Sequence, residues 1–542
     1  MTSPSLKSPE NSDLAVLQAS ATELVQRIGS GEWSSLEVTE AFIRQLERIN
    51  PYLNALVVPR FEEARKVAEE ADRARDQGVS LGPLHGLPVT IKECFHLAGT
   101  ATTLGLTSRS EQVCDQDGVL IRRLKEAGAV VLGKTNVPQL MLWHESVNPL
   151  FGRTANPWDL SRGAAGSTGG EAAVLAAYGS PLGLGSDLGG SIRIPSHVCG
   201  IHGIKPTSSR LPREGLDGAL RGMEAIMFQA GPMARHVADL TLAMNVLCGS
   251  CQESRDIDVV PGTIADPADV DLRGMRIAYW QDDGTFSPAP AISRVVREAA
   301  EQLAAQGAEI CEWVPPEIPK ALDVYYQLVG ADGGMDVRNL LKNSEVHPHL
   351  KRLLQGARFS GPVRWMVASL LKFLGQNTLA HVLWQTRRST VSEYWANTRW
   401  LVAYRRRLLE IFREQGFQAA LCPPHALPAM PHGAPIDLLP AASYSFLPNL
   451  LGWPAGVVAA SRVRDGEDQQ REPSRDRVFQ RARETEANSI GLPVGVQVLA
   501  PAWREDVVLA VMGRLEASFR AAEDYPQLPL PTSWEGEVHS AS

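Results

Sequence analysis

No stretch of this 542-residue chain approaches the ~20 consecutive apolar residues that a membrane-spanning helix needs. The first residues, Met1 to Asp13, are polar, hold Pro4 and Pro9, and lack the basic-then-apolar pattern of a secretory signal. Cysteine is scarce: seven residues, odd in number and scattered, fit reduced thiols in a cytosolic protein and not a disulfide framework. Cys248-Gly249-Ser250-Cys251 has C-x-x-C spacing but no second pair and no thioredoxin-like setting, so it reads as two plain thiols. Excess positive charge is missing too, and a net charge of −8 argues against a nucleic-acid partner. The 12 histidines never fall in His-Glu-x-x-His, which removes the common zinc-hydrolase pattern. No Gly-Lys-Ser/Thr follows Gly163 or Gly185, so neither glycine run is a P-loop. The expectation is a cytoplasmic protein, at most peripheral to membranes, that uses neither metal nor cofactor.

Three residues at fixed spacing carry the chemistry. Lys92 ends the run Gly86-Leu87-Pro88-Val89-Thr90-Ile91-Lys92. Ser167 stands in Gly163-Ala164-Ala165-Gly166-Ser167-Thr168-Gly169-Gly170, and Ser191 in Gly185-Ser186-Asp187-Leu188-Gly189-Gly190-Ser191. A hydroxyl is a poor nucleophile until something takes its proton, and a desolvated lysine can act as that base. Glycines around a serine let backbone N–H groups approach a reacting carbonyl. The lipase elbow Gly-x-Ser-x-Gly fails at both serines, because Ala165 and Arg193 stand where glycines are required. The residues therefore read as a serine hydrolase that works without histidine, and His144, His197 and His202 as structural or in support of the site.

The local pattern is α/β. Ser34-Ser35-Leu36-Glu37 is a capping box opening a helix with Val38, Phe42, Leu46 and Ile49 on one face, expected to stop at Pro51. Leu87, Val89 and Ile91 alternate with Pro88, Thr90 and Lys92, so Lys92 closes a strand and points away from the apolar face. Gly118–Ala127 reads as a helix, Ala129–Leu132 as a buried strand, and Glu171–Ala177 as a helix whose N-terminus lies near Ser167. Leu182 with Leu184, and Val494 with Val496 and Val498, read as further strands, the last followed by a helix bearing Val508, Val511, Met512, Leu515 and Phe519. Such alternation of strand and helix argues for a layered α/β core.

Gly163–Thr207, Gly231-Pro232-Met233-Ala234-Arg235, Asn449–Ala455 and Gly491–Gln497 resemble the amidase-signature family over nearly the whole chain. Arg60–Ala64, Trp143-His144-Glu145-Ser146, Phe151–Leu160 and Gly169-Gly170-Glu171 are most similar to the fatty-acid amide hydrolases, the second type in particular. The resemblance implies a large twisted mixed β-sheet covered by helices on both faces, in one domain spanning 1–542. Within it fall an N-terminal extension and first helix (1–33), a catalytic core (86–235), a helical cap insertion (about 320–400), a charged surface insertion (462–487) and a return to the core (488–530). It also implies roles: Lys92 as base, Ser167 as proton shuttle in a cis peptide, Ser191 as nucleophile. The N–H groups of Leu188, Gly189, Gly190 and Ser191 would form the oxyanion hole. Met141 matches a substrate-site methionine, with core packing an equal alternative. Thr168 departs from the family's usual second serine, and Ala165 from its usual glycine.

The expected substrate is a small-molecule amide, a fatty-acid amide first of all. General aryl or short-chain amidases, the glutaminase subunit of a tRNA-dependent amidotransferase and a non-catalytic binding protein are the alternatives. A homodimer is left open. Two segments stand apart from the core. Arg462–Glu486, with seven arginines and seven acidic residues, reads as a solvated loop or loose exposed helix. Trp365–Leu374 is expected to pack on the core or on a partner subunit, the alternative being an apolar cap that contacts lipid.

Overall fold

The alternation around Ile91 becomes the strand Pro88–Lys92, buried at every residue, near one end of an 11-stranded sheet. The computed structural model describes residues 11–249, 254–357 and 359–529, and Cys251 lies outside them. In chain order the strands of this sheet are β1 Leu56–Pro59, β2 Pro88–Lys92, β3 Val130–Thr135, β4 Leu182–Asp187, β5 His202–Lys205 and β6 Gln229–Ala234. The remainder are β7 Arg276–Tyr279, β8 Glu309–Glu312, β9 Phe417–Cys422, β10 Ala455–Arg462 and β11 Pro493–Leu499. Their spatial order is β1-β3-β2-β4-β6-β5-β10-β11-β9-β7-β8. The pairs β2/β3, β2/β4, β7/β9 and β7/β8 are parallel and the rest antiparallel, so the sheet is mixed. Strands from both ends of the chain share it, which makes one α/β unit flanked by helices.

Local signals survive into the fold. Ser34 caps the helix Ser35–Leu53 in a closed capping box, with Val38, Phe42, Leu46 and Ile49 all buried. The helix does not stop at Pro51, as expected, but runs on to Leu53, where Asn54 in the left-handed region (φ 47°) ends it. A proline in the last turn costs one hydrogen bond, and the N–H of Asn54 to the carbonyl of Asn50 still closes that turn. The closing helix Glu505–Arg520 buries Val508, Val511, Met512, Leu515 and Phe519 against β10.

Two segments depart from expectation. Arg477–Glu486 is a docked helix: Asp476 caps it, Val478 and Ala482 are buried, and Phe479 stacks on Phe286 at 4.9 Å between ring centres. Arg471 holds buried Glu486 at 2.6 Å. The few apolar residues of this charged stretch lie on one helical face, which is enough to dock it. The Gly361–Phe373 helix behaves the opposite way. It buries only Arg364 and Ala368, while Trp365, Met366, Leu370, Phe373 and Leu374 stand 56–87% exposed. Packing on the core, one of the two expected placements, is thus not what this face does. Among the described residues no helix is long and apolar enough to cross a membrane.

Candidate active site

Lys92, the last residue of β2, is wholly buried, and Ser167 and Ser191 are 3% and 7% exposed. Its Nζ lies 2.7 Å from Ser167 Oγ, 2.9 Å from Thr168 Oγ1 and 3.0 Å from Ser186 Oγ. Thr168, the departure from the usual serine, still places a hydroxyl on the amine and donates to the Ser186 carbonyl at 3.1 Å. Burial pushes the Lys92 ammonium down to about 8, against the attraction of Asp187 and Glu171 among its neighbours. An amine in this setting, ringed by hydroxyls, can accept a proton near neutral pH.

The Gly166–Ser167 peptide is cis. Ser167 precedes the helix Gly169–Ala176, and the Thr168 N–H donates to the Ser191 carbonyl at 3.1 Å, so the two serine loops are stitched together. The Lys92–Ser167 link is closed by a hydrogen bond; among the described residues no hydrogen bond joins Ser167 to Ser191. Gly190 holds φ +96°, a conformation that favours glycine, and a Cβ there would meet Ser445 at 2.6 Å.

A buried ion pair fixes this loop. Asp187 ends β4, and its carboxylate accepts from Gly190 N at 2.8 Å, Ile192 N at 3.1 Å and Arg193 Nη2 at 2.9 Å. Burial by itself would raise the Asp187 carboxyl, but the Arg193 guanidinium outweighs it and holds the group well below the usual carboxylate range. Asn449 adds a donor at 3.1 Å, and Gln497 accepts from Arg193 at 2.6 Å. One consequence bears on the expected oxyanion hole. The Gly190 N–H is already engaged by Asp187, so the loop N–H groups without a partner among the described residues are those of Leu188, Gly189 and Ser191.

The other sequence candidates fall at varied distances from this centre. Met141 is half-buried, with φ +58°, and packs against the core; Leu142 and Leu188 do the same. His144 sits by the serine loop, its Nε2 3.2 Å from the Gly189 carbonyl. His197 and His202 bond elsewhere, to the Leu427 carbonyl and the Ala459 N–H. Glu171 is buried beside the lysine strand, where it accepts from Thr90 and, at 2.9 Å, from Thr135; burial raises its carboxyl to about 8. Sequence reasoning assigned nothing to Asp187 and Arg193. Two opposite charges flanking Gly-Gly-Ser inside the apolar stretch Leu182–Val198 were the available signal, since buried charges must pair. Tyr325 and Phe446, stacked at 4.2 Å against Gly189, come from distant segments and left no such trace.

A mixed sheet flanked by helices around a buried lysine–serine contact is the architecture of an amide hydrolase of the amidase-signature type. The amidase family profile matches residues 37–509. Fatty-acid amide hydrolase 1 of Sus scrofa is 34% identical over 94% of this chain and 87% of its own length. Fatty acid amide hydrolase 1 of Caenorhabditis elegans is 30% identical over 91% of this chain and 87% of its own. A solved fatty acid amide hydrolase superposes with TM-score 0.81 at 26% identity, covering 95% of this chain and 87% of the other. The chain belongs to the amidase family and is an amide-hydrolysing enzyme.

Proposed function

We propose that this enzyme cleaves fatty-acid amides through an acyl-enzyme on Ser191. Neutral Lys92 takes the Ser167 proton, Ser167 takes that of Ser191, and the freed Ser191 oxygen attacks the amide carbon. The oxygen of the tetrahedral intermediate accepts from the loop N–H groups of Leu188, Gly189 and Ser191, each such donor being worth ~3–4 kcal/mol in comparable sites. The proton returns through Ser167 to the departing amine, which leaves badly unless protonated. Water then repeats the sequence on the ester and releases the acid. The observation that carries this mechanism is the 2.7 Å contact between a wholly buried lysine and Ser167.

The lipid assignment is supported by the names of the pig and nematode relatives and by the Gly361–Phe373 helix. A long acyl chain gains roughly 0.8 kcal/mol per buried CH₂, so an enzyme for such chains benefits from an apolar docking face at a lipid surface. Trp365, Met366, Leu370, Phe373 and Leu374 supply one, with Lys372 beside them. A substrate panel from acetamide through anilides to oleamide and N-acylethanolamines tests it. Turnover should rise with acyl length; a preference for short anilides would replace the lipid reading with a general amidase.

A further inference from the structure

The serine loop can be followed peptide by peptide. The Leu188 carbonyl accepts from Tyr325 Oη at 3.4 Å, and the Gly189 carbonyl lies 3.2 Å from His144 Nε2. The Gly190 carbonyl accepts from Ile194 N at 2.7 Å, and the Ser191 carbonyl from Thr168 N at 3.1 Å. In a trans peptide the N–H points opposite to its carbonyl. Each carbonyl anchor therefore aims the N–H of the following residue: Tyr325 aims Gly189 N–H, and the Ile194 bond aims Ser191 N–H. His144 and Asp187 grip the Gly189–Gly190 peptide from its two ends, carbonyl and N–H. Two of these anchors are main chain within the signature segment. The other two, His144 and Tyr325, are side chains reaching in from outside it.

Packing reinforces the hydrogen bonds. Tyr325 Oη occupies the place that a Cβ on residue 189 would take, and Phe446 Cε1 comes within 3.1 Å of it. The Tyr325 ring stacks on Phe446 with planes 8° apart, and His144 lies 6.4 Å from Phe446 between ring centres. Burial keeps the His144 imidazole neutral, its ammonium-like form pushed down to about 4. A neutral ring must then carry its proton on Nε2 to donate to the Gly189 carbonyl.

We propose that His144 and Tyr325 are positioning residues of the reaction: Tyr325, through the Leu188 carbonyl, fixes the peptide plane whose Gly189 N–H receives the oxyanion, and His144, through the Gly189 carbonyl, holds together with Asp187 the Gly189–Gly190 peptide that sets the Gly189 and Ser191 donors relative to each other. This rests on the hydrolase reading above. Neither side chain exchanges a proton with substrate. Tyr325 belongs to the helix Ile318–Val329, so the helical cap segment reaches the oxyanion loop itself.

The experiment compares wild type, His144→Leu, His144→Gln and Tyr325→Phe on one long-chain amide. It also measures Ser191 labelling by a fluorophosphonate and binding of a trifluoromethyl ketone. His144→Leu should lower kcat about 10- to 100-fold, short of the 10²–10³-fold that follows outright loss of an oxyanion donor. KM should stay within about twofold, because ground-state binding is untouched. Ketone affinity should fall with kcat, and the acid limb of the pH profile should not move, since Lys92 is unaltered. His144→Gln, whose amide N–H reaches the same carbonyl, should recover most of the loss. Tyr325→Phe should show the same signature at roughly three- to tenfold, since a bond at 3.4 Å is weak. Unchanged kcat in His144→Leu, or equal losses in the Leu and Gln variants, would overturn the proposal. If His144→Leu fails to fold, Tyr325→Phe decides by the same criteria, its full activity overturning the role. Wild-type protein with neither turnover nor labelling would sink the hydrolase reading and this inference with it; active wild type with silent variants sinks the inference alone.

Discussion

Replacing Lys92 with methionine removes the charge and shortens a wholly buried, unbranched side chain by one atom, and the consequences can be worked out in advance. With the ammonium pushed down to about 8, roughly one lysine in ten is neutral at pH 7, against about one in 2,500 for a lysine free in water. Wild-type kcat/KM should thus rise tenfold per pH unit up to about pH 8 and then level. The same shift has a stability sign. The folded state binds the Lys92 proton less tightly than the unfolded chain does, so burial costs about 3 kcal/mol below pH 8, where both states are protonated. That cost shrinks as pH rises from about 8 towards about 10.4 and is gone above it. Against Lys92→Met, wild type should therefore gain about 2–3 kcal/mol of relative stability between pH 7 and pH 10. The assays are kcat/KM on a matched amide and ester from pH 5.5 to 9.5, and urea unfolding at the two pH values. Lys92→Met should abolish the acid limb and cost more on the amide, whose amine must be protonated to leave. An acid limb that survives the substitution, equal losses on amide and ester, or a stability difference flat in pH would refute the reasoning.

Ser191→Ala should fold normally with activity at background, and the fluorophosphonate adduct should map by mass spectrometry to Ser191; an adduct on Ser167 would invert the assigned roles. Arg193→Met should destabilise by about 3–5 kcal/mol by leaving Asp187 charged and unpaired, whereas changing Asp187 and Arg193 together to asparagine and methionine should recover part of it; a fully stable single variant would remove the ion pair from this account. Changing Trp365, Leu370 and Phe373 to serine should leave thermal stability within a few degrees, because all three are exposed. It should weaken liposome binding and raise KM for oleoyl amides while sparing short anilides. Loss of fold would show that the face is covered in solution, and unchanged chain-length preference would place the lipid contact elsewhere.

What the sequence determined by itself is local. The capping box at Ser34, the alternation that ends at Lys92, the glycines around Ser167 and Ser191 and the apolar stripe of Glu505–Arg520 depend on neighbours within a few residues, so periodicity and turn chemistry were enough to read them. The tertiary structure decided what depends on distance. It turned the Gly190 N–H onto Asp187, which leaves three of the four expected oxyanion N–H groups without a partner among the described residues. It brought Tyr325 and Phe446 to Gly189 across separations of more than 130 residues, where no pattern in the chain connects them. It docked the charged helix Arg477–Glu486 through a face too sparse in apolar residues to stand out in composition. And it left the Trp365–Leu374 face open, although the same residues, read along the chain, favour a helix packed on the core or on a partner subunit. Periodicity shows that side chains share a face; only the placement of the rest of the chain shows whether anything lies against it.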